Sequence, residues 1–364
     1  MSTAPRAYIN RIETAVPDRE GHTAFIGRLP ELTRDAKLAR KLAYLGRHSG
    51  IDARYTVLDQ PFDLNGTQGF YSTHRFPSTE QRMTIYRREA PRLATRAAAA
   101  ALAGVDPRRV THLIVTTCTG FYAPGIDIDL VHALGLSECV CRTIIGFMGC
   151  YSAFPGMRLA QSVTLANPDA LALVVSVELC SIHFRTDVTG EQWMPFLIFA
   201  DGASAALISA RPEGIALGDF HTCIEAQRAD AMTWDIGNQG YTMTLSPKLP
   251  DYIAQIIKNR KTEMFAGLPA DKRLWAIHPG GKAVLDAVEK ELRLPPTALA
   301  NSREVLRRHG NMSSPTVMFV LKRFLDDPQA TGPGCAMAFG PGLAVECCFF
   351  EKLVSRPSHG LAAH

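Results

Sequence analysis

Three side chains in this sequence have the types and settings that covalent acyl chemistry needs. Cys150 directly follows Gly149, between an apolar strand segment and the start of a helical one. A thiol at a helix N-terminus faces the positive end of the macrodipole, which favours thiolate. Gly146 and Gly149 leave room there for a tight strand-to-helix turn and for close substrate approach. His278 closes a strand and precedes Pro279-Gly280-Gly281, so it is accessible in a way that a mid-strand histidine is not. Asn311, in Gly310-Asn311-Met312-Ser313-Ser314, offers a carboxamide donor. Each alone has a plainer reading: an inert buried cysteine, a turn histidine, an Asn after Gly making a turn. Together they supply a nucleophile, a histidine able to sit beside it as imidazolium, and an amide donor.

The elements around them must bring distant parts of the chain together. Thr33 to Gly46 has helical spacing and basic character, and Leu58 to Gln81 is a Gly, Pro, Asn and Ser-rich excursion without period. Glu89 to Gly104 is Ala-rich and helical, Val110 to Thr117 reads as a buried strand, and Asp127 to Leu136 as a helix. Arg142 to Phe147 is a short strand running into Gly149-Cys150 and a helical stretch, Ser152 to Leu165. Ala170 to Leu179 is a continuous apolar strand, as expected when both faces are covered. Phe196 to Phe199, a turn at Asp201-Gly202, and Ala203 to Ile208 read as a hairpin, with Asp201 as a turn residue.

The second half repeats this grammar. Arg273 to Ile277 is a strand ending at His278, a helix runs on to about Leu292, and another starts near Ser314-Pro315, where Ser suits the cap. Gly334 to Phe339 and Leu343 to Phe350 flank Gly340-Pro341-Gly342 as a second hairpin. The pattern predicts an N-terminal half over 1–215 carrying Cys150, a C-terminal half over 216–355 carrying His278 and Asn311, and a frayed tail over 356–364.

The order Cys, His, Asn also occurs in cysteine proteases, so the flanking sequence has to decide the reaction. Gly146-Phe147-Met148-Gly149-Cys150, Ile277-His278-Pro279-Gly280-Gly281, Gly310-Asn311-Met312-Ser313-Ser314 and Phe339-Gly340-Pro341-Gly342 resemble the signature set of type III polyketide synthases, the chalcone synthase superfamily, over about Tyr8 to Glu351. The resemblance implies an α/β thiolase-like fold, five layers αβαβα built from two pseudo-duplicated halves, working as a homodimer. It implies that Cys150 accepts a starter from acyl-CoA and that His278 pairs with the thiolate. His278 and Asn311 would donate to the malonyl-CoA carbonyl as loss of CO2 turns it into an enolate, with no cofactor and no metal. Decarboxylative Claisen condensation would extend the chain by two carbons, and cyclisation would follow.

Phe199 resembles the family's gatekeeper aromatic. The second gate position falls on Met243, a flexible thioether where the family normally has Phe, and Trp234 falls where a Gly often lines the cavity. The resemblance adds Cys118, Thr119, Cys180, His183, Ser313 and Phe339 to the pocket; His183 would hydrogen-bond an intermediate or be a satisfied structural histidine. Ala123 replaces a Met that plant enzymes project into the partner, and Ala338 replaces the first Gly of Gly-Phe-Gly-Pro-Gly. Lys41, Arg47 and Ala283 are the implied CoA contacts, with two usual basic positions falling on Tyr44 and His48. The loss of an aromatic gate points to fatty acyl starters and alkylpyrone or alkylresorcinol-type products.

Bulk properties agree. The chain has 364 residues, 46% hydrophobic and 20% charged, enough for a large core, and a net charge of +4 too scattered for nucleic acid. Met1 to Asn10 has no signal-peptide pattern and no apolar run spans a membrane, so the expected location is cytoplasmic. The nine cysteines contain no CxxC, arguing against a disulfide framework or zinc; Cys139 and Cys141 read as same-face strand positions. The nearest rival is a β-ketoacyl-ACP synthase III, which condenses once from an acyl carrier protein. A Cys-His-Asn hydrolase lacks support in the sequence flanking Cys150, and a silent thiolase-fold interaction protein would not need the intact trio. Gly340-x-Gly342 lacks the third Gly and following helix of a dinucleotide site.

Overall fold

Apolar runs with both faces covered build the centre of the molecule, a computed structural model that describes residues 6–59, 69–71, 76–185, 187–188, 190–265 and 273–354. The first half contains β1 (Tyr8–Ala15), β2 (Arg19–Glu20), α1 (His22–Thr33), α2 (Ala36–Arg47), β3 (Tyr55–Thr56), α3 (Thr79–Ala101), β4 (His112–Thr117), α4 (Ile126–Leu134), β5 (Cys141–Gly146), α5 (Ala153–Ala166), β6 (Ala172–Leu179), α6 (Met194–Ile198) and β7 (Asp201–Ser209). Then follow β8 (Ile215–Ile224), β9 (Met232–Gly237), β10 (Gly240–Leu245), α7 (Leu249–Phe265), β11 (Leu274–Ile277), α8 (Lys282–Leu292), α9 (Ala300–His309), α10 (Thr316–Asp326), β12 (Gly332–Gly340) and β13 (Ala344–Lys352).

The large sheet runs in the order β11-β12-β13-β8-β1-β7-β6-β4-β5. Its two ends repeat one topology. The series β1-β7-β6-β4 pairs antiparallel, antiparallel, then parallel, and β8-β13-β12-β11 does the same. Within the sheet, the described residues of the two halves pair where Tyr8 and Ile9 of β1 meet Ala216 and Ile215 of β8.

Residue alternation along the strands sets the layers. Leu173, Val175 and Val177 face the outer core with α3 and α4, whereas Ala172 and Val174 face a middle core with Phe154 and Met157 of α5 and Val317, Val320 and Leu321 of α10. Ala336, Ala338 and Phe350 close that middle core from the other half, while Met337, Phe339 and Cys347 turn outward to α7 and α8. The order helix, sheet, α5 with α10, sheet, helix is the five-layer thiolase-like arrangement.

Several expected elements take another form. The basic helical segment is α2, starting at Ala36 rather than Thr33 because Arg34 ends α1 with a left-handed φ of 53° and Asp35 caps α2 by accepting from Lys37 N and Leu38 N. The Ala-rich helix begins ten residues early, at a capping box of Ser78 and Gln81. The hairpin expected over 196–208 is absent: α6 ends at Ile198, and Asp201 opens a strand that pairs with β6 and β1 instead. Asp201 is a wholly buried carboxylate, not a turn residue. Ser314 does not cap α10; its hydroxyl donates to Glu178 at 2.6 Å. Cys139 precedes β5 rather than sharing a strand face with Cys141, and both are exposed. Part of the excursion over 58–81 and the tail over 356–364 lie outside the described residues.

Phe154 is fully buried between the two halves of the sheet. The variant Phe154→Ala is expected to lose about 3–5 kcal/mol of stability in urea unfolding, the range for deleting a buried ring; a loss under about 1 kcal/mol would contradict the middle-layer packing.

Candidate active site

The turn carrying Cys150 is shaped by close approach. Phe147 and Gly149 have φ of 58° and 77°, and a Cβ on Gly149 would lie 2.2 Å from Pro341 Cδ. Only glycine satisfies both demands. The Gly149–Tyr151 turn is a short 3-10 turn ahead of α5. It thus wedges against the hairpin loop of the other half, and Cys150 is left 5% exposed. Burial pushes its thiol up to about 11, against hydrogen bonds from Ser313 and Asn311 that favour the thiolate, while the Glu178 charge disfavours it. Burial therefore works against the thiolate that the helix N-terminus favours.

Asn311 follows Gly310, and its backbone is laced to the gate segment: Asn311 N donates to Ile198 O at 2.9 Å and Ala200 N to Asn311 O at 2.8 Å. Its Oδ1 accepts from Ser313 N at 2.8 Å, which turns Nδ2 toward the carbonyl of Gly280 at 3.2 Å. Gly280 N in turn donates to His278 O, and His278 N to Met337 O. The histidine and asparagine loops are thereby locked together, with Asn311 beside the thiol. Both ring nitrogens of His278 are buried without a hydrogen-bond partner among the described residues, and burial pushes its pKa down to about 3. Burial thus favours the neutral form of both the thiol and the imidazole.

A cavity of about 1100 Å3, counted to its open mouth, begins at Gly149. Phe199, Met243, Cys118, Thr119, Cys180, His183, Trp234 and Ser313 all line it. Phe339 does not; strand alternation turns it into the outer core with Met337, and Ala338 faces the middle. His183 is committed: its Nε2–H donates to Thr119 O at 2.7 Å, its Nδ1 accepts from Tyr241 N at 3.1 Å, and its ring stacks on Tyr241. It is the satisfied structural histidine of the two readings, held neutral by burial. Trp234 donates from Nε1 to Cys118 O at 2.9 Å and packs edge-on to His183, and Met243 stands opposite it in the β9–β10 pair.

Glu178 and an apolar arm of the cavity are not read from the sequence. Glu178 is fully buried in β6, accepts from Cys118 N, Thr119 Oγ1 and Ser314 Oγ, and is pushed up to about 7 by burial. A carboxylate inside an apolar strand was the available signal. This arm is the apolar part of the lining: Phe25, Leu58, Tyr71, Phe184, Val188 and Phe196. Lys41 and Arg47 lie on the exposed side of α2, and Ala283 is exposed in the first turn of α8. Lys282, beside Ala283, packs near Gly50 just beyond α2. Among the described residues no three His, Cys, Asp or Glu side chains are grouped to hold a metal ion, and no helix is long and apolar enough to cross a membrane.

Comparison with known proteins adds independent findings. The profile for chalcone and stilbene synthases, N-terminal domain, matches residues 13–212, and the C-terminal domain profile matches 223–354. An alpha-pyrone synthesis polyketide synthase-like protein, Pks18 of Mycobacterium tuberculosis, is 32% identical over 95% of this chain and 91% of that protein. Polyketide synthase 37 of Dictyostelium discoideum is 34% identical over 69% of this chain, which spans 9% of that protein. Among solved structures, PKS-I of the brown alga Ectocarpus siliculosus superposes with a TM-score of 0.88 at 28% identity, covering 97% of this chain and 100% of that one. The type III polyketide synthase domain of Steely1 from Dictyostelium gives 0.86 at 27% identity, covering 96% and 100%.

A raised thiol pKa has a direct kinetic consequence. Alkylation of Cys150 by iodoacetamide in the free protein is expected to rise about tenfold per pH unit from pH 6 to 9, because the thiolate fraction does so below the pKa. A rate plateau reaching below pH 7 would instead reveal a resting thiolate–imidazolium pair.

Proposed function

Since this chain belongs to the chalcone and stilbene synthase family and is a type III polyketide synthase, we propose that it extends fatty acyl starters with malonyl-CoA and releases them as alkylpyrone-type lactones. The observation that carries the starter class is the group of apolar side chains in the cavity that Cys180 and Phe199 also line. Aliphatic carbons entering it gain about 0.8 kcal/mol per methylene buried. The similarity to the mycobacterial alpha-pyrone synthesis polyketide synthase-like protein supports the product class.

In this reading Cys150 attacks the acyl-CoA carbonyl while its proton passes to an unpartnered nitrogen of His278, and CoA leaves as the thiol. Neutral reactants suit this step, since no charge has to be stored in the buried chamber before substrate arrives. Malonyl-CoA then places its thioester oxygen at His278 and Asn311 Nδ2. Loss of CO2 leaves its electron pair as an enolate on that oxygen, where two donors are already oriented. The enolate carbon attacks the acyl thioester and Cys150 departs with its electron pair, leaving a β-ketoacyl-CoA longer by two carbons. After a second round, the enol oxygen of the triketide attacks its own thioester and closes a six-membered lactone. The carbanion comes from decarboxylation itself, so the cycle as proposed draws on no metal or cofactor.

Phe199 and Met243 form the gate, and Lys41, Arg47 and the first turn of α8 at Ala283 take the CoA phosphates. The arrangement also supports a homodimer. β5 is an edge strand whose outward positions are exposed, including Ile144 at 41%, and Phe121 beside it is exposed at 39%. Pairing β5 with its copy would cover both. Light scattering giving a single-chain mass would contradict this. The cytoplasm, where CoA thioesters reside, is the proposed location.

Incubation with malonyl-CoA and acyl-CoAs of graded length, read by mass spectrometry, is expected to give triketide pyrones from starters of eight carbons and longer; no turnover with any of these ends the fatty acyl reading. Asn311→Ala is expected to lose malonyl-CoA decarboxylation by about 10²–10³-fold, as for a lost oxyanion donor. Trp234→Gly, which empties one wall of the cavity, is expected to shift products toward additional malonyl extensions; an unchanged product distribution would show that this wall does not limit growth.

A further inference from the structure

A buried cation sits where the gate segment and the asparagine loop meet. Arg54 immediately precedes β3 of the short β2–β3 ribbon and is 8% exposed. Its Nη1 donates to both Phe196 O and Phe199 O at 2.7 Å, at the C-terminal end of α6, where helix carbonyls lack partners of their own. Its Nε donates to His22 Nδ1 at 2.8 Å, and its guanidinium lies over the Phe25 ring. Its stem packs against Gly310, where a Cβ would come within 2.7 Å of Arg54 Cγ and 2.9 Å of Ile198 O. The Phe199 segment that Arg54 grips is itself bonded on both sides to the backbone of Asn311.

We propose that Arg54 is a positioning residue that fixes the Phe199 gate and the Asn311 donor in one register, so that starter admission and malonyl decarboxylation depend on a single buried guanidinium. A cation lining a CoA-thioester cavity invites reading as a phosphate ligand. Here its Nε and Nη1 are committed to histidine and carbonyl acceptors. His22 is kept neutral by burial and by Arg54 itself, which preserves the lone pair that the contact requires. Glu20 and the buried Asp201 stabilise the charge from nearby. Lysine cannot replace it, because a point ammonium cannot span the α6 carbonyls and His22 in one plane.

The inference rests on Asn311 acting as the malonyl donor. An Asn311→Ala variant that decarboxylates malonyl-CoA at the unaltered rate would sink that reading, whereas the variants below bear on Arg54 alone. In full-length Arg54→Lys, kcat for malonyl-CoA decarboxylation is expected to fall at least about tenfold with KM within about threefold, and starter-length selectivity to broaden. Iodoacetamide alkylation of Cys150 is expected to stay within about twofold, since that turn is held by Pro341 instead. Unaltered kcat and starter profile would overturn the proposal, and so would a raised KM for CoA substrates at unaltered kcat, the mark of a phosphate ligand. Should Arg54→Lys fail to fold, the pair His22→Ala and His22→Asn decides. Loss of decarboxylation in the first and recovery in the second, whose Oδ1 replaces Nδ1 as acceptor, supports the frame, and equal rates in both and the parent refute it.

Discussion

The whole site depends on one contact, the approach of Gly149 to Pro341. It brings the turn after β5 in the first half against the hairpin loop of the second, closer than any side chain at position 149 would allow. Everything else follows from that closeness. The thiol of Cys150 lands beside Asn311 and Ser313, which arrive on the other half, and Glu178 of the first half reaches Ser314 of the second. The repeated strand order explains why this is possible. The turn with Cys150 leads into α5 and the loop with Asn311 leads into α10, and these two helices lie side by side in the middle layer between the sheet ends.

Such a meeting point is dry, and dryness sets the chemistry. Burial raises the thiol of Cys150 and lowers the imidazole of His278, so the unliganded chamber holds neutral groups. Among the described residues the His278 ring nitrogens have no hydrogen-bond partner, and leaving a buried polar group unpaired is a cost of roughly 1–3 kcal/mol. A thioester oxygen or a transferred proton relieves it only when substrate is bound. Stability is thus given up where charge must later develop, which is the condition for binding a transition state better than a ground state.

Much of this was legible in the sequence because the constraint falls on residue types. Gly149 before Cys150, the glycines after His278 and Gly310 before Asn311 mark loops where backbones approach, and such loops tolerate few substitutes. The largely apolar run of β6, interrupted only by Ser176 and Glu178, likewise announced a strand covered on both faces. What misled was parity and context. Phe196 to Phe199 is apolar enough for a strand, but Pro195 sits in the first turn of a helix there, and the expected hairpin dissolved with it. Phe339 lies in a motif of the site, yet alternation along β12 sends it to the outer core. His183 has the right address for contacting an intermediate, but both nitrogens are taken by backbone groups far away in sequence. Arg54 carried no signal at all, because a lone arginine ahead of a short strand looks like any solvated cation.

The cavity's own chemistry limits how selective it can be. Its polar groups are largely spent inward: His183 and Trp234 hold the carbonyls of Thr119 and Cys118, and Ser181 and Thr56 are absorbed by Asp201 and each other. What faces a substrate in the arm is aromatic and aliphatic surface, with Phe184 packed edge-on against Phe25, Tyr71 and Phe196. Surface of that kind distinguishes chains by length at about 0.8 kcal/mol per methylene and cannot sharply reject a neighbour in the series. Sharp choice in this molecule therefore has to come from shape at the gate, where Met243 faces Trp234 across two strands and Phe199 is held by its backbone. A thioether that can change rotamer beside a tryptophan pinned by its indole N–H gives a gate with one soft side and one rigid side. Chain length is then graded by the arm, while the number of condensations is set by how much room the rigid side leaves.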